Sequence, residues 1–89
     1  MALYTLSFRR SAEKDLQRLD ETIQGRVVQA VEGLASNPRP FGFRKLQGQR
    51  RGDAFRIRVG DHRVIYTVDD KCKTVTVERV RHRREVYRD

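Results

Sequence analysis

Residues 55–68, FRIRVGDHRVIYTV, contain two runs of alternating apolar and polar residues separated by Gly60 and Asp61. Alternation with a period of two is typical of strands that bury one face, and a two-residue connection with glycine suits a tight hairpin turn. The stretch therefore predicts an antiparallel hairpin with strands over 54–59 and 62–68. The side chains of this hairpin that should face the core are Phe55, Ile57, Val59, Val64, Tyr66 and Val68.

The two-residue turn determines which residues of the hairpin face each other. With Gly60 and Asp61 as the loop, Arg58 lies directly across from Arg63, and Arg56 lies on the same face. Like charges directly opposite each other destabilise a sheet by about as much as favourable cross-strand pairs stabilise it, roughly 0.2–1 kcal/mol. A bound phosphate would offset that repulsion, because guanidinium groups match its oxygens with forked hydrogen bonds. A solvated face with acidic neighbours would offset it as well, and the pattern alone leaves both interpretations open.

The residues before the hairpin predict one strand and two helices. Residues 3–8, LYTLSF, alternate as a short strand. Ser11 is expected to cap a first helix, and Asp20 a second helix that stops before Pro38. The apolar positions that should face the core are Tyr4, Leu6 and Phe8 on the strand, Ala12, Leu16 and Leu19 on the first helix, and Ile23, Val27, Ala30, Val31 and Leu34 on the second.

The residues around the hairpin predict a loop before it and a further strand after it. Residues 41–51 show little periodicity and predict a loop with a short edge strand around Lys45 and Leu46. TVTVERV, at 74–80, predicts a last strand whose valines do not all fall on one face. That break in the alternation predicts a β-bulge near Glu78 or Arg79.

The length and the order of elements predict a single α+β domain over residues 1–89. Eighty-nine residues are too few to divide between two hydrophobic cores. The predicted order is an N-terminal strand, a helical hairpin, and then a three- to four-stranded antiparallel sheet with the helices on one face.

The charge of the chain predicts a negatively charged partner. Twenty Lys and Arg residues stand against twelve Asp and Glu, which gives a formal net charge of +8. A field of this sign favours nucleic acid as the first expectation and an acidic protein as the second.

The cysteines, histidines and apolar runs of the sequence restrict the possible disulfides, metal sites and membrane segments. Cys72 is the only cysteine, which excludes an internal disulfide or a cysteine-based zinc cluster within one chain and favours a reducing, cytoplasmic setting. No apolar run approaches the roughly 20 residues of a membrane span, and the N-terminus lacks the features of a secretory signal. Because His62 and His82 do not fall in a known ligand spacing, neither a metal nor another cofactor is predicted.

The C-terminal stretch RVRHRREVYRD, at 79–89, contains five arginines, one histidine and one tyrosine. Together with the hairpin and the KLQG stretch at 45–48, it resembles the RelE/ParE superfamily of toxins from bacterial and archaeal toxin–antitoxin pairs. The resemblance runs almost from end to end in the family's order. The HRREVY terminus with Tyr87 makes the chain more similar to the RelE branch, because gyrase-directed ParE relatives generally lack that set.

The resemblance implies a ribosome-dependent endoribonuclease that enters the decoding site and cuts messenger RNA there without a metal. It also implies an acidic, RelB-like antitoxin as a partner, besides the ribosome and messenger RNA. The catalytic roles fall by resemblance on Arg56, Arg58, Arg63 and Tyr87, and on one terminal arginine. Matching HR ahead of REVY selects Arg83, which we prefer, whereas counting back from Tyr87 selects Arg81. We further expect RNA contacts from Lys45, Arg50, Arg51 and Arg84.

Some relatives carry lysine where this chain has Arg56 and Arg58, and a buried lysine can act as the base that accepts a proton. Arginine effectively cannot lose its proton, so another group must act as the base. His82 is the first candidate and Glu85 the second, with Tyr87 positioning or stacking the substrate base. Two other functions stay open on the sequence: a ParE-like inhibitor of DNA gyrase, and a ribosome- or RNA-binding module without catalysis.

Overall fold

The computed structural model describes residues 3–46 and 54–82. Within these residues the helices are α1 (Arg10–Gln17) and α2 (Glu21–Ser36). The strands are β1 (Thr5–Phe8), β2 (Arg44–Lys45), β3 (Ala54–Val59), β4 (His62–Asp69) and β5 (Thr74–His82). The predicted site residues Arg50, Arg51, Arg83, Arg84, Glu85 and Tyr87 lie outside the described residues.

The described strands form one five-stranded sheet in the order β1-β5-β4-β3-β2. The predicted succession of a strand, a helical hairpin and an antiparallel meander is confirmed, with one correction. β1 runs parallel to β5, with Thr5 opposite Thr74, so the sheet is mixed rather than antiparallel. The sequence did not reveal this pairing, because β1 and β5 are far apart in the chain and no local turn sets their relative direction.

The central hairpin has the predicted register. Val59 pairs with His62, and Arg58 pairs with Arg63. Gly60 has a φ of +59°, in the region that L side chains rarely adopt. Asp61, the second loop residue, does not have a positive φ. Positive φ at the first loop position alone is the pattern of a type II′ turn, whose twist matches that of the flanking strands.

The hydrophobic core lies between the helices and one face of the sheet, as predicted. Leu34 on α2 and Val64 on β4 are both buried in it. Tyr66 is also fully buried, and its hydroxyl donates to the Pro38 carbonyl oxygen at 2.7 Å. Burial raises the pKa of Tyr66 to about 12. This hydrogen bond ties the residue just after α2 to the middle of the sheet.

The two helix starts differ in how well they were predicted. Asp20 is the N-cap of α2, and its Oδ1 accepts from the Ile23 N–H at 3.0 Å, which confirms the prediction. The prediction for Ser11 is wrong, because α1 begins two residues earlier than a Ser11 cap implies, with Arg9 at the N-cap position and no side-chain cap. The Ser11 hydroxyl instead donates to the Glu78 carbonyl oxygen at 2.9 Å.

The predicted bulge in β5 is confirmed. Ile65 pairs with Arg79, whereas the next residue of β4, Tyr66, pairs with Val77. Glu78 is therefore the extra residue of β5. In the part of the chain described by the structure, neither helix is long and apolar enough to cross a membrane.

Candidate nucleic-acid interface

A row of three arginines crosses the face of the sheet that lies away from the helices. Arg58 on β3 pairs with Arg63 on β4, and Arg63 pairs with Arg81 on β5. The neighbouring pair of Val64 and Val80 is buried in the core. Because successive side chains of a strand point to opposite faces, the three arginines point away from the core.

A second row of basic residues lies two positions further along the sheet. Arg56 pairs with Ile65 on one side and with Arg44 of the edge strand on the other. Arg44 therefore extends the basic face to the sheet edge, although sequence reasoning did not select it. Lys45 was selected instead, but it pairs with Phe55, and the alternation assigns it to the opposite face. Only the register of β2 against β3 separates these neighbours, and the eight residues between the two strands in the sequence do not reveal that register as the Gly60-Asp61 pair does for β3 and β4.

Burial changes along the arginine row. Arg58 is exposed, Arg81 is partly buried, and Arg63 between them is only 6% exposed. In the register this buried guanidinium has a cation on either side, so the row concentrates positive charge and contributes a positive field. An anion that reaches the exposed end of the row would be attracted by this field and could accept forked hydrogen bonds. The arrangement therefore has the chemistry of a phosphate-binding surface.

Two carboxylates near this end of β5 are engaged by other cations. Asp15 accepts from Arg79 Nε at 2.9 Å, and Glu78 forms an ion pair with Arg9 at 2.7 Å. Arg58 has no hydrogen-bond or ion-pair partner within the described ranges 3–46 and 54–82. Its positive charge thus remains available to an incoming anion.

The two histidines lie on the other side of the sheet. His62 and His82 pair across β4 and β5, with their ring centroids 5.1 Å apart in an edge-to-face arrangement. They line a shallow cleft with Asp15 and Leu19 on the helix side. The sheet therefore separates the His82 ring from the arginine row. Strand alternation between Arg81 and His82 is the sequence signal that could have shown this separation.

Comparison with known proteins identifies the family. The family model described as "ParE toxin of type II toxin-antitoxin system, parDE" matches residues 6–87. The chain belongs to this family of toxins. Within the RelE/ParE superfamily, its curated relatives include toxin RelG of Mycobacterium tuberculosis, which is 36% identical over 85 residues that cover 96% of this chain and 97% of RelG. Toxin RelE of the same organism is 35% identical over 86 residues, covering 96% of this chain and 87% of that toxin.

Solved structures place this toxin closer to the RelE branch. The archaeal RelE–RelB complex from Pyrococcus horikoshii matches with a TM-score of 0.80 and 31% identity, over 91% of this chain and 96% of that one. The toxin–antitoxin complex RelBE2 from Mycobacterium tuberculosis matches with a TM-score of 0.79 and 32% identity, over 91% of this chain and 99% of that one. The chain is thus a RelE-like toxin of a type II toxin–antitoxin system.

Proposed function

We propose that this toxin is a ribosome-dependent endoribonuclease that cuts messenger RNA in the decoding site. The observation that carries the proposal is the row of Arg58, Arg63 and Arg81, with Arg56 beside it, on the open face of the sheet. A phosphodiester is the anion that this density of guanidinium groups fits best on the sheet face opposite α1 and α2. Such an activity requires a cytoplasmic location.

The chemistry asked of the arginines is electrostatic. The ribose 2′-oxygen forms a bond to the adjacent phosphorus while the bond from phosphorus to the 5′-oxygen breaks, which leaves a 2′,3′-cyclic phosphate and a 5′-OH. Negative charge grows on the non-bridging oxygens during this step, and preorganised donors aimed at that charge accelerate it. Arg58 and Arg63 would supply these donors, while the arrangement needs no metal for the step.

Proton transfer must come from another group, because arginine does not lose its proton. The position of His82 on the helix side argues against direct contact with a phosphate held by the arginine row. We therefore expect His82→Ala to retain most of the cleavage activity. A loss as large as that of an arginine variant would assign proton transfer to His82, whereas retained activity directs attention to Glu85 and Tyr87.

The test uses programmed ribosomes, messenger RNA and purified toxin, with naked messenger RNA as the control. Cuts inside the decoding site that carry a 2′,3′-cyclic phosphate, and that are absent without ribosomes, are the expected result. Arg58→Gln should lower the cleavage rate by about 10²–10³-fold, the usual effect of removing one transition-state donor. Lys14→Gln is the matched control, because it removes the same charge from an exposed position on α1. Equal rates for the two variants would contradict the proposal.

Inhibition of DNA gyrase is the second candidate, and the match to the ParE toxin model favours it. Supercoiling of plasmid DNA by purified gyrase, measured with and without the toxin, separates the two functions. Inhibition of supercoiling together with intact messenger RNA would show that the toxin inhibits gyrase and does not cleave messenger RNA. Ribosome binding without cleavage or gyrase inhibition would indicate a non-catalytic binding module.

The partner implied by the family is an acidic antitoxin. The matched structures from Pyrococcus horikoshii and Mycobacterium tuberculosis are toxin–antitoxin complexes. A net charge of +8 fits an acidic chain that folds on binding and neutralises part of the basic face. Co-expression should yield a complex that co-purifies, and two unassociated proteins at micromolar concentration would count against this partner.

A further inference from the structure

Helix α1 occupies the edge of β5 at the point where β1 ends. Pairing between β1 and β5 ends at Phe8 and Val77, and the Arg9 N–H then donates to the Val77 carbonyl oxygen at 2.9 Å. Beyond that point, the Ser11 hydroxyl bonds the Glu78 carbonyl oxygen. α1 therefore supplies side-chain partners where the sheet lacks a neighbouring strand.

Asp15 is the centre of this contact. Its carboxylate accepts from Arg79 Nε at 2.9 Å and Arg79 Nη2 at 3.2 Å, and also from the Val80 N–H at 2.9 Å. The side chain is 8% exposed. Burial alone raises the pKa of Asp15, but the hydrogen bonds from Arg79 and Val80 and the positive charges of Arg79 and Arg81 lower it overall. Asp15 is thus a carboxylate held in its charged form at the outer edge of β5.

The contact coincides with the bulge, and the bulge decides where Arg81 points. Val75 and Val77 face the core, so uninterrupted alternation would turn residues 79 and 81 toward the core. The extra residue at Glu78 shifts the phase by one, which buries Val80 and turns Arg81 to the open face. Arg81 can join Arg63 only because the bulge is present.

We infer that Asp15 is a positioning residue that holds the bulge of β5 in place and thereby sets Arg81 in the arginine row. This role rests on the proposed cleavage activity, and Asp15 itself does not contact the substrate. Asparagine has one acceptor oxygen in place of two and no charge, so its NH2 group must meet either Arg79 Nη2, which bonds Oδ1, or both Arg79 Nε and the Val80 N–H, which share Oδ2. Asp15→Asn therefore loosens the bulge while keeping the size of the side chain.

The decisive experiment is a double-mutant cycle of Asp15→Asn and Arg81→Ala, measured as single-turnover cleavage at saturating programmed ribosomes. We expect Asp15→Asn alone to lower the rate by about 10²-fold, as misplacement of a catalytic group by about 1 Å does. In the Arg81→Ala background it should cause no further loss, because a positioning residue has nothing left to position. A multiplicative loss in the double variant would overturn the inference and make Asp15 a general stabilising residue.

Asp70→Asn is the matched control variant. It breaks another aspartate–arginine pair, in which Arg39 Nη2 lies 3.0 Å from Asp70 Oδ2, at the far end of β4 from the arginine row. The cleavage rate of Asp70→Asn should equal that of the unmodified toxin. An equal loss in the two asparagine variants would count against a role specific to Asp15.

An NMR measurement distinguishes failure of this inference from failure of the proposed function. In the unmodified toxin, cross-strand contacts between the backbone protons of Arg63 and Arg81 and slow exchange of the Val80 amide are expected, and Asp15→Asn should weaken both. If they weaken in a toxin that cuts no messenger RNA, the positioning role stands and the nuclease proposal fails. Unchanged contacts would overturn the positioning role whatever the activity. Should Asp15→Asn fail to fold, Ser11→Ala loosens the same bulge at Glu78 and enters the same cycle.

Discussion

The arginine row should weaken the fold while it serves the proposed reaction, and Arg58→Gln separates these two effects. Arg58 faces Arg63 directly, and Arg63 faces Arg81. Glutamine keeps most of the aliphatic stem of Arg58 and removes its charge. The substitution therefore relieves one of the two like-charge contacts in the row and leaves the backbone pairing intact.

The expected gain follows from the register and the exposure. A directly opposed pair of like charges costs about 0.2–1 kcal/mol, and we take about 0.5 kcal/mol because Arg58 is exposed and partly screened by solvent. For a domain of this size, 1 kcal/mol corresponds to about 4–8 °C in Tm, so Arg58→Gln should raise Tm by roughly 2–4 °C. The gain should disappear in high salt, since the Debye length falls from about 30 Å at 0.01 M to about 3 Å at 1 M.

Thermal unfolding followed by circular dichroism at these two salt concentrations measures the effect. Lys14→Gln is again the control, because it lowers the net charge equally on α1, away from the arginine row. A lower Tm for Arg58→Gln at low salt would refute the reasoning, and so would a gain that survives 1 M salt. The same variant is expected to lose cleavage activity, so stability and activity should move in opposite directions.

Three further predictions concern the framework of the fold. Tyr66→Phe removes the hydroxyl that donates to the Pro38 carbonyl oxygen, and leaving that buried acceptor without its partner should lower the free energy of unfolding in urea by about 1–3 kcal/mol. Asp20→Ala removes the N-cap of α2 and should cost about 1 kcal/mol in the same assay, whereas an unchanged midpoint would show that the cap is dispensable. Because the folded-state pKa of Asp15 lies below its ordinary value of 3.8, its stabilising contribution is complete above that pH and is lost as the pH falls through the lower folded-state value. The difference in unfolding free energy between the unmodified toxin and Asp15→Asn should therefore be constant near neutral pH and shrink in acid, and a difference that does not shrink at all as the pH falls below 3.8 would contradict the lowered pKa.

Local signals made the central hairpin predictable from the sequence. Gly60 and Asp61 determine the turn, and the turn determines the pairing of Arg58 with Arg63. Asp20 as a helix cap has equally local causes, since the cap bond reaches only three residues along the chain. In these cases the residues that decide the structure lie within one turn or one pair of strands.

Non-local contacts account for what the sequence did not predict. The parallel pairing of β1 with β5 and the placement of Arg44 beside Arg56 depend on segments that are not joined by a two-residue connection in the sequence. Serine is a favoured residue at helix N-caps, but the Ser11 hydroxyl donates to the Glu78 carbonyl oxygen at the edge of the sheet. A tertiary partner here takes the place of the local one that sequence statistics favour.

The bulge in β5 links these two kinds of information. The broken alternation of valines predicted the bulge from the sequence. The inferred role of the bulge in placing Arg81 rests on the structure, in which the Val80 N–H donates to Asp15. In a regular strand with Val77 in the core, residue 80 would face away from the core and residue 81 toward it, so both Val80 and Arg81 would lie on the wrong face. The bulge allows one strand to complete the core with its valines and the basic face with Arg81. The core lies on one face of the sheet and the basic residues lie on the other. Helix α1 therefore has two roles: it covers the core, and through Asp15 it holds the bulge that turns Arg81 to the basic face.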